Sequence, residues 1–101
     1  MEKRHFFVRL IPPRPSFAFD MTDAERALML EHGAYFQRHF AEGRVLIYGP
    51  VLAPTESFGM GVVEVADEAE ARAMMDADPT IVAGLNRYEL APMRVGAARG
   101  L

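Results

Sequence analysis

Cysteine is absent from the 101-residue chain, which excludes a disulfide framework, a thiolate metal site and a cysteine nucleophile. The same absence suits a reducing compartment, and a cytoplasmic location is the expectation. Long apolar runs are lacking as well. No segment approaches the ~18 consecutive apolar residues of a membrane-spanning helix, so no membrane partner is expected. Nor does the start read as a secretory signal, because Glu2, Lys3 and Arg4 lead straight into a short strand-like run. Positive charge is scattered. Apart from Lys3-Arg4 the arginines stand singly and the net charge is −3, so no basic stripe is available for phosphates and nucleic acid is not an expected partner. Low-complexity tracts and internal linkers are missing too. Half of the residues are apolar and a quarter charged, the composition of one globular domain over residues 1–101.

What is present divides into alternating strand and helix signals. His5 to Ile11 is short and rich in aromatic and β-branched residues, and predicts a strand ended by Pro12-Pro13-Arg14-Pro15. A loop is expected from Ser16 to Asp20. Thr22 and Glu25 form a capping box, which predicts a helix from there to about Glu42 with Gly43 just beyond its end. Arg44 to Tyr48 reads as a second strand cut off by Gly49-Pro50, Val51 to Phe58 as a loop, and Met60 to Val65 as a third strand. Asp67 and Glu70 repeat the capping pattern before a helix through about Met75. Asp78-Pro79 is an N-cap followed by proline at the first helical position, opening a short helical turn that Gly84 closes. Tyr88 to Val95 is the last strand, with a frayed tail over 96–101. The order β-α-β-β-α-β predicts an α+β, ferredoxin-like fold: one antiparallel four-stranded sheet with its helices on one side.

The strands do not alternate cleanly. Val45 and Ile47 on one side face Leu46 and Tyr48 on the other, and Phe6, Val8 and Leu10 oppose Phe7, Arg9 and Ile11. Helices cover one sheet face only, so an apolar second face is an interface signal. It predicts a homodimer packed sheet to sheet, closing into a barrel-like pair.

Among residues that carry chemistry, His32 stands out. It lies mid-helix on the apolar side with Leu28, Tyr35 and Phe36. Such an imidazole either is satisfied structurally or performs proton chemistry. Asp78 is its candidate partner, because a carboxylate accepting from one ring nitrogen leaves the other as a base. Asp78 is equally a routine cap before proline, and the two roles are compatible. His39, seven residues on, stands ~10 Å away along the helix, too far to share a metal ion with His32, and reads as a helix C-terminal histidine. His5 reads as a strand-edge residue. No metal or organic cofactor is called for. Gly59 and Gly61 lack the context of a phosphate loop and read as positions that ease sheet curvature or close packing. Gly49-Pro50 either ends a strand or lets a ligand approach the backbone. Phe17 and Phe19 either fold into the core or roof a pocket.

Taken together, the chain resembles the YciI-like, or YCII-related, family from about Phe6 to Met93. The resemblance rests on Pro12-Pro13-Arg14-Pro15 with Phe17, Asp20-Met21-Thr22, Glu31-His32 with Tyr35, and Gly49-Pro50-Val51. It continues through Gly59 to Val65, Asp67 to Arg72, Asp76-Ala77-Asp78-Pro79, and Arg87-Tyr88-Glu89 with Pro92. It implies a ferredoxin-like subunit of a dimeric α+β barrel, with an active site on a helix histidine and the aspartate of an Asp-Pro step, matching His32 and Asp78. Tyr48, Ala53-Pro54 and Thr80 depart from the family's common pattern, which bears on pocket shape. Elimination or isomerisation of small cyclic or unsaturated acids is the chemistry implied by analogy of fold. The expected function is therefore acid/base catalysis by His32 and Asp78 on a small molecule held near Arg14, Phe17, Tyr35, Tyr48, Gly49 and Pro50. Two rivals use the same scaffold: a ligand-binding module without chemistry, and a purely structural dimer.

Overall fold

A computed structural model describes residues 2–100. Eight elements follow one another: β1 (Arg4–Ile11), α1 (Phe17–Asp20), α2 (Asp23–Ala41), β2 (Val45–Val51), β3 (Phe58–Val65), α3 (Glu68–Asp76), α4 (Pro79–Val82) and β4 (Arg87–Met93). The strands form one antiparallel sheet in the order β2-β3-β1-β4. This is the expected ferredoxin-like α+β arrangement.

The helix ends follow local chemistry. Thr22 accepts from the Glu25 amide and the Glu25 carboxylate accepts from the Thr22 amide, so the capping box forms as its spacing predicts. Gly43, just past α2, has φ +83°, a left-handed conformation that a side chain would strain. Asp67 caps α3 and Asp78 caps α4, with Pro79 at the first helical position. The core lies between sheet and helices, where Phe6, Val8 and Leu10 of β1 and Val63 and Val65 of β3 meet Phe36, Ala71, Met74 and Met75.

Several local expectations are corrected. The segment 16–20 is a loop only at its start, because Phe17–Asp20 winds into a short helix whose Phe17 is buried while Phe19 is 81 % exposed. The second strand does not stop at Gly49-Pro50. It runs on to Val51, with Pro50 opposite Gly59 and Val51 opposite Phe58. Proline is tolerated there because β2 lies on the sheet edge, where one side of the strand needs no ladder partner. A register shift between Val45 and Ile47 also breaks simple alternation. Val45 and Tyr48 therefore pack on the core and Ile47 is 57 % exposed on the other face. His5 lies on β1, an interior strand, and pairs across it with Glu64 at 3.0 Å. The last strand ends at Met93, and residues 94–100 contain no helix or strand. Leu101, the end of the expected frayed tail, lies outside the described residues, as does Met1.

Two glycines of β3 shape the space under α2. Gly59 is paired with Leu10 and Pro50, and Gly61 with Val8 and Tyr48, all on the helix side of the sheet. A Cβ on Gly61 would stand 3.1 Å from Val8 Cγ2 and 3.5 Å from the Phe36 ring. These glycines serve packing, in keeping with their sequence context. Replacing Gly61 by valine forces Val8 or Phe36 off its rotamer and is expected to lower the unfolding free energy by about 1–3 kcal/mol, measured in urea titrations.

Candidate active site

Asp78 and His32 are 46 residues apart in sequence and in contact in the fold: His32 Nδ1 lies 2.5 Å from Asp78 Oδ2. Each comes from a different kind of element. His32 stands in the middle of α2, its ring 4.8 Å from that of Phe36 one turn on. Asp78 is the cap of α4 and has no solvent exposure. Its two oxygens divide the work. Oδ1 accepts from the Thr80 amide at 2.8 Å and from the Thr80 hydroxyl at 2.7 Å, while Oδ2 is left for the imidazole. Capping and imidazole binding thus coexist in one side chain. Burial alone would push the Asp78 carboxyl up. The hydrogen bonds from His32 and Thr80 outweigh it and hold the group below the ordinary aspartate value. An ionised carboxylate accepts only, so the proton in this contact sits on Nδ1, and in the neutral ring Nε2 is then the acceptor. Among the described residues Nε2 has no protein partner.

His32 borders a cavity of about 330 Å³ between the sheet and α1–α2. Its walls are almost wholly apolar. Leu10, Phe17, Met29 and Phe36 are among the residues that border it, and Gly33 and Gly59 add no side chain there. No lysine, arginine, aspartate or glutamate lines it. Of the residues expected to hold a ligand, Phe17, Tyr48, Gly49 and Pro50 border this space. Tyr48 is fixed there by its hydroxyl, which donates to Gln37 Oε1 at 2.6 Å.

Arg14 and Tyr35 do not border it. The Arg14 guanidinium makes a bidentate pair with Glu25 at 2.8 Å and reaches Asp20 at 2.9 Å, with its charge over the Phe17 ring at 5.3 Å. It ties α1 to the start of α2 and thereby holds Phe17 in the cavity wall. The Tyr35 hydroxyl donates to the Met74 carbonyl at 2.7 Å, and the ring lines a separate cleft with His39 and Arg44. Helix geometry accounts for the split. At ~100° per residue, Tyr35 and Phe36 fall on opposite sides of His32, so only one of them can share its cavity. His39 Nδ1 accepts from Arg44 Nε at 2.8 Å, and burial followed by the Arg44 charge lowers its affinity for a proton. Among the described residues no cluster of histidine and carboxylate side chains is arranged to hold a metal ion.

Three contributors were given no role in the site from sequence. Thr80 supplies two of the three hydrogen bonds that Asp78 receives. Its place two residues after a capping aspartate was the available signal. Ser57 and Asn86 also line the cavity, both buried, and neither had a recognisable context. Among the described residues the Ser57 hydroxyl and the Asn86 Oδ1 have no hydrogen-bond partner.

A four-stranded ferredoxin-like subunit with an apolar cavity and a histidine–aspartate contact at its border is the class of protein defined here. Residues 5–94 match the YCII-related domain, and the chain belongs to that family. No curated protein matches it. Among solved structures, the 5-chloro-2-hydroxyhydroquinone dehydrochlorinase TftG from Burkholderia phenoliruptrix AC1100, in complex with 2,5-dihydroxybenzoquinone, superposes with a TM-score of 0.67 at 18 % identity over 90 % of this chain and 95 % of that one. An uncharacterised protein from Thermotoga maritima gives 0.53 at 11 % identity, over 92 % of this chain and all of the other. SnoaB, a cofactor-independent oxygenase from Streptomyces nogalater, gives 0.50 at 12 % identity over the full length of both chains. At such identities the likeness is one of fold.

The ion pairs around α1 give the fold an acid limit. Hydrogen bonds from Arg14 and then from the Thr22 amide hold Glu25 at a pKa of about 2, below its ordinary 4.5. The hydroxyl of Ser16 leads in lowering Asp20, and Asp78 lies below 3.8. Carboxylates with depressed folded values stabilise above their unfolded values and lose that contribution as pH falls through the folded ones. Stability from urea melts is therefore expected to be flat down to pH 4.5 where these groups are concerned, and to fall between 4.5 and 2. An Arg14→Met variant is expected to show a shallower fall.

Proposed function

We propose that this protein is a small-molecule enzyme in which His32 Nε2 acts as general base and Asp78 orients the ring. One observation carries the reading. Nδ1 is held on a buried, hydrogen-bonded carboxylate while Nε2 has no protein partner beside an apolar cavity. A carboxylate in that position fixes the tautomer and stabilises the imidazolium that forms when Nε2 takes a proton. The apolar walls exclude competing water and strengthen that charge interaction. Proton abstraction from a ring or carbon acid, followed by departure of a leaving group or by reprotonation elsewhere, is an elimination or an isomerisation. Imidazole chemistry of this kind needs neither metal nor organic cofactor. The names of two neighbours of the same fold, a dehydrochlorinase and a cofactor-independent oxygenase, are in keeping with small-molecule chemistry on this scaffold. Cytoplasmic residence accords with the lack of cysteine.

A second copy of the chain is the proposed partner for the open sheet face. Phe7, Met60, Val62 and Ile47 lie there side by side, and the Arg9 guanidinium covers Phe58 at 4.1 Å. An apolar surface of that kind on a small domain favours a partner.

The catalytic reading is tested with a panel of small cyclic carbon acids and halogenated ring compounds in D2O, following C–H exchange and halide release by NMR. His32→Gln is expected to remove turnover and Asp78→Asn to reduce it by about 10²–10⁴-fold, with folded spectra in both. Binding without conversion by the native protein would favour a ligand-binding module instead. For the assembly, light scattering is expected to give twice the 11.3 kDa chain mass, and Ile47→Glu to give the single-chain mass.

A further inference from the structure

The open face of the sheet carries a charge that its own subunit leaves unmatched. Phe6, Val8 and Leu10 of β1 pack in the core, so Arg9 projects from the opposite side, and it does so from an interior strand. Its guanidinium stacks on the Phe58 ring at 4.1 Å. It joins no ion pair among the described residues. A second copy laid over this face takes the charge out of water. An unpaired cation in an apolar contact is strongly unfavourable, so the arriving surface has to bring a carboxylate to it.

The ladder register says which carboxylate. Residues paired across strands share a face, and the open face reads as four rows. Glu64 and His5 form the first; Ile47, Val62 and Phe7 the second; Gly49, Met60 and Arg9 the third; Val51 and Phe58 the last. Two identical faces meet about a two-fold axis lying in the contact plane, and packed sheets are either aligned or orthogonal. With the axis along the strands, β3 lies over β1 of the other copy. The guanidinium resting on Phe58 then meets Ile11 of the partner subunit. An orthogonal crossing carries it to an outer strand, opposite Gly49 of the partner subunit or Ala91 of the partner subunit. Neither arrangement neutralises it. With the axis across the strands, between the second and third rows, the rows exchange. Met60 then lies over Val62 of the partner subunit, and Phe58 with its guanidinium lies over Glu64 of the partner subunit. That carboxylate has capacity to spare: Oε2 meets His5 Nε2 at 3.0 Å, and Oε1 makes no hydrogen bond among the described residues.

We propose that two copies bind face to face with their strands antiparallel, and that each Arg9 guanidinium is met there by Glu64 of the partner subunit. Symmetry makes two such pairs per dimer. The inference rests on the second-copy reading given above and is independent of the general-base reading.

Light scattering and native mass spectrometry of charge-reversal variants test it. Arg9→Glu and Glu64→Arg are each expected to weaken association at least about a hundredfold, since each sets two like-charge contacts in one dimer. Mixed in equal amounts, the two variants are expected to form a heterodimer within about tenfold of the native affinity, because both contacts again join opposite signs. Glu89 lies beside Arg9 on the same face, and Glu89→Arg is expected to change association by less than about tenfold and not to rescue Arg9→Glu. Should a reversal variant fail to fold by circular dichroism, Arg9→Met, Glu64→Gln and their double variant replace it. The double is then expected to lose clearly less than the sum of the singles, and additive losses overturn the pairing. Reversal variants that associate like the native protein, a mixture that stays at the single-chain mass, or rescue by Glu89→Arg overturns this inference and leaves the dimer standing. A native protein at the single-chain mass overturns both.

Discussion

Removing an ionised carboxylate wholly from solvent, as the fold does with Asp78, costs several kcal/mol unless donors meet its oxygens. Here three do. Thr80 contributes an amide and a hydroxyl to one oxygen, and His32 contributes a ring N–H to the other. The geometry that satisfies the charge also locks the first turn of α4 to the middle of α2, since the same side chain caps one helix and grips the other. The position of His32 in its cavity is thus a consequence of keeping a buried charge satisfied. If the imidazole were borne on a loop, its aim would depend on a mobile backbone. Borne on a long helix and held by a fixed cap, it has little freedom to turn.

The cavity itself owes as much to missing atoms as to those present. On the helix side of β3, Gly59 and Gly61 stand opposite Leu10 and Val8, and Gly33 does the same on α2 within the cavity wall. Close packing leaves few voids by default. A hollow of this size persists because no side chain at Gly33 or Gly59 reaches into it, while Arg14, Asp20 and Glu25 keep α1 braced at its flank.

Much of this architecture is legible in the chain, for reasons that are local. Thr22 with Glu25, Asp67 with Glu70, and Asp78 with Pro79 mark helix starts because capping is a matter of neighbours, and Gly43 marks an end through its φ. What escaped was decided at a distance. Pro50 stops a strand in the sheet interior, and only the strand order reveals that β2 lies at the edge. The shift at Val45/Ile47 reverses the faces that alternation assigns. Arg14 reads as a ligand-binding residue, but Asp20 and Glu25 fold back onto it. Tyr35 shares a helix side with His32 in a coarse reading but falls ~100° from Phe36, which sends it toward α3. Ser57 and Asn86 are ordinary polar residues whose burial is a property of the fold alone. The meeting of His32 with Asp78 was suggested by residue chemistry and by likeness to a family, since no spacing rule links positions 46 apart.

The two outermost strands share a feature that bears on how such molecules can meet. β2 contains Pro50 and β4 contains Pro92, so each rim of the sheet has a backbone position with no N–H to offer. A strand arriving from another molecule would find its ladder interrupted at that point. In-plane growth of the sheet, the route by which exposed rims seed runaway fibrous stacking, is thereby discouraged at both borders.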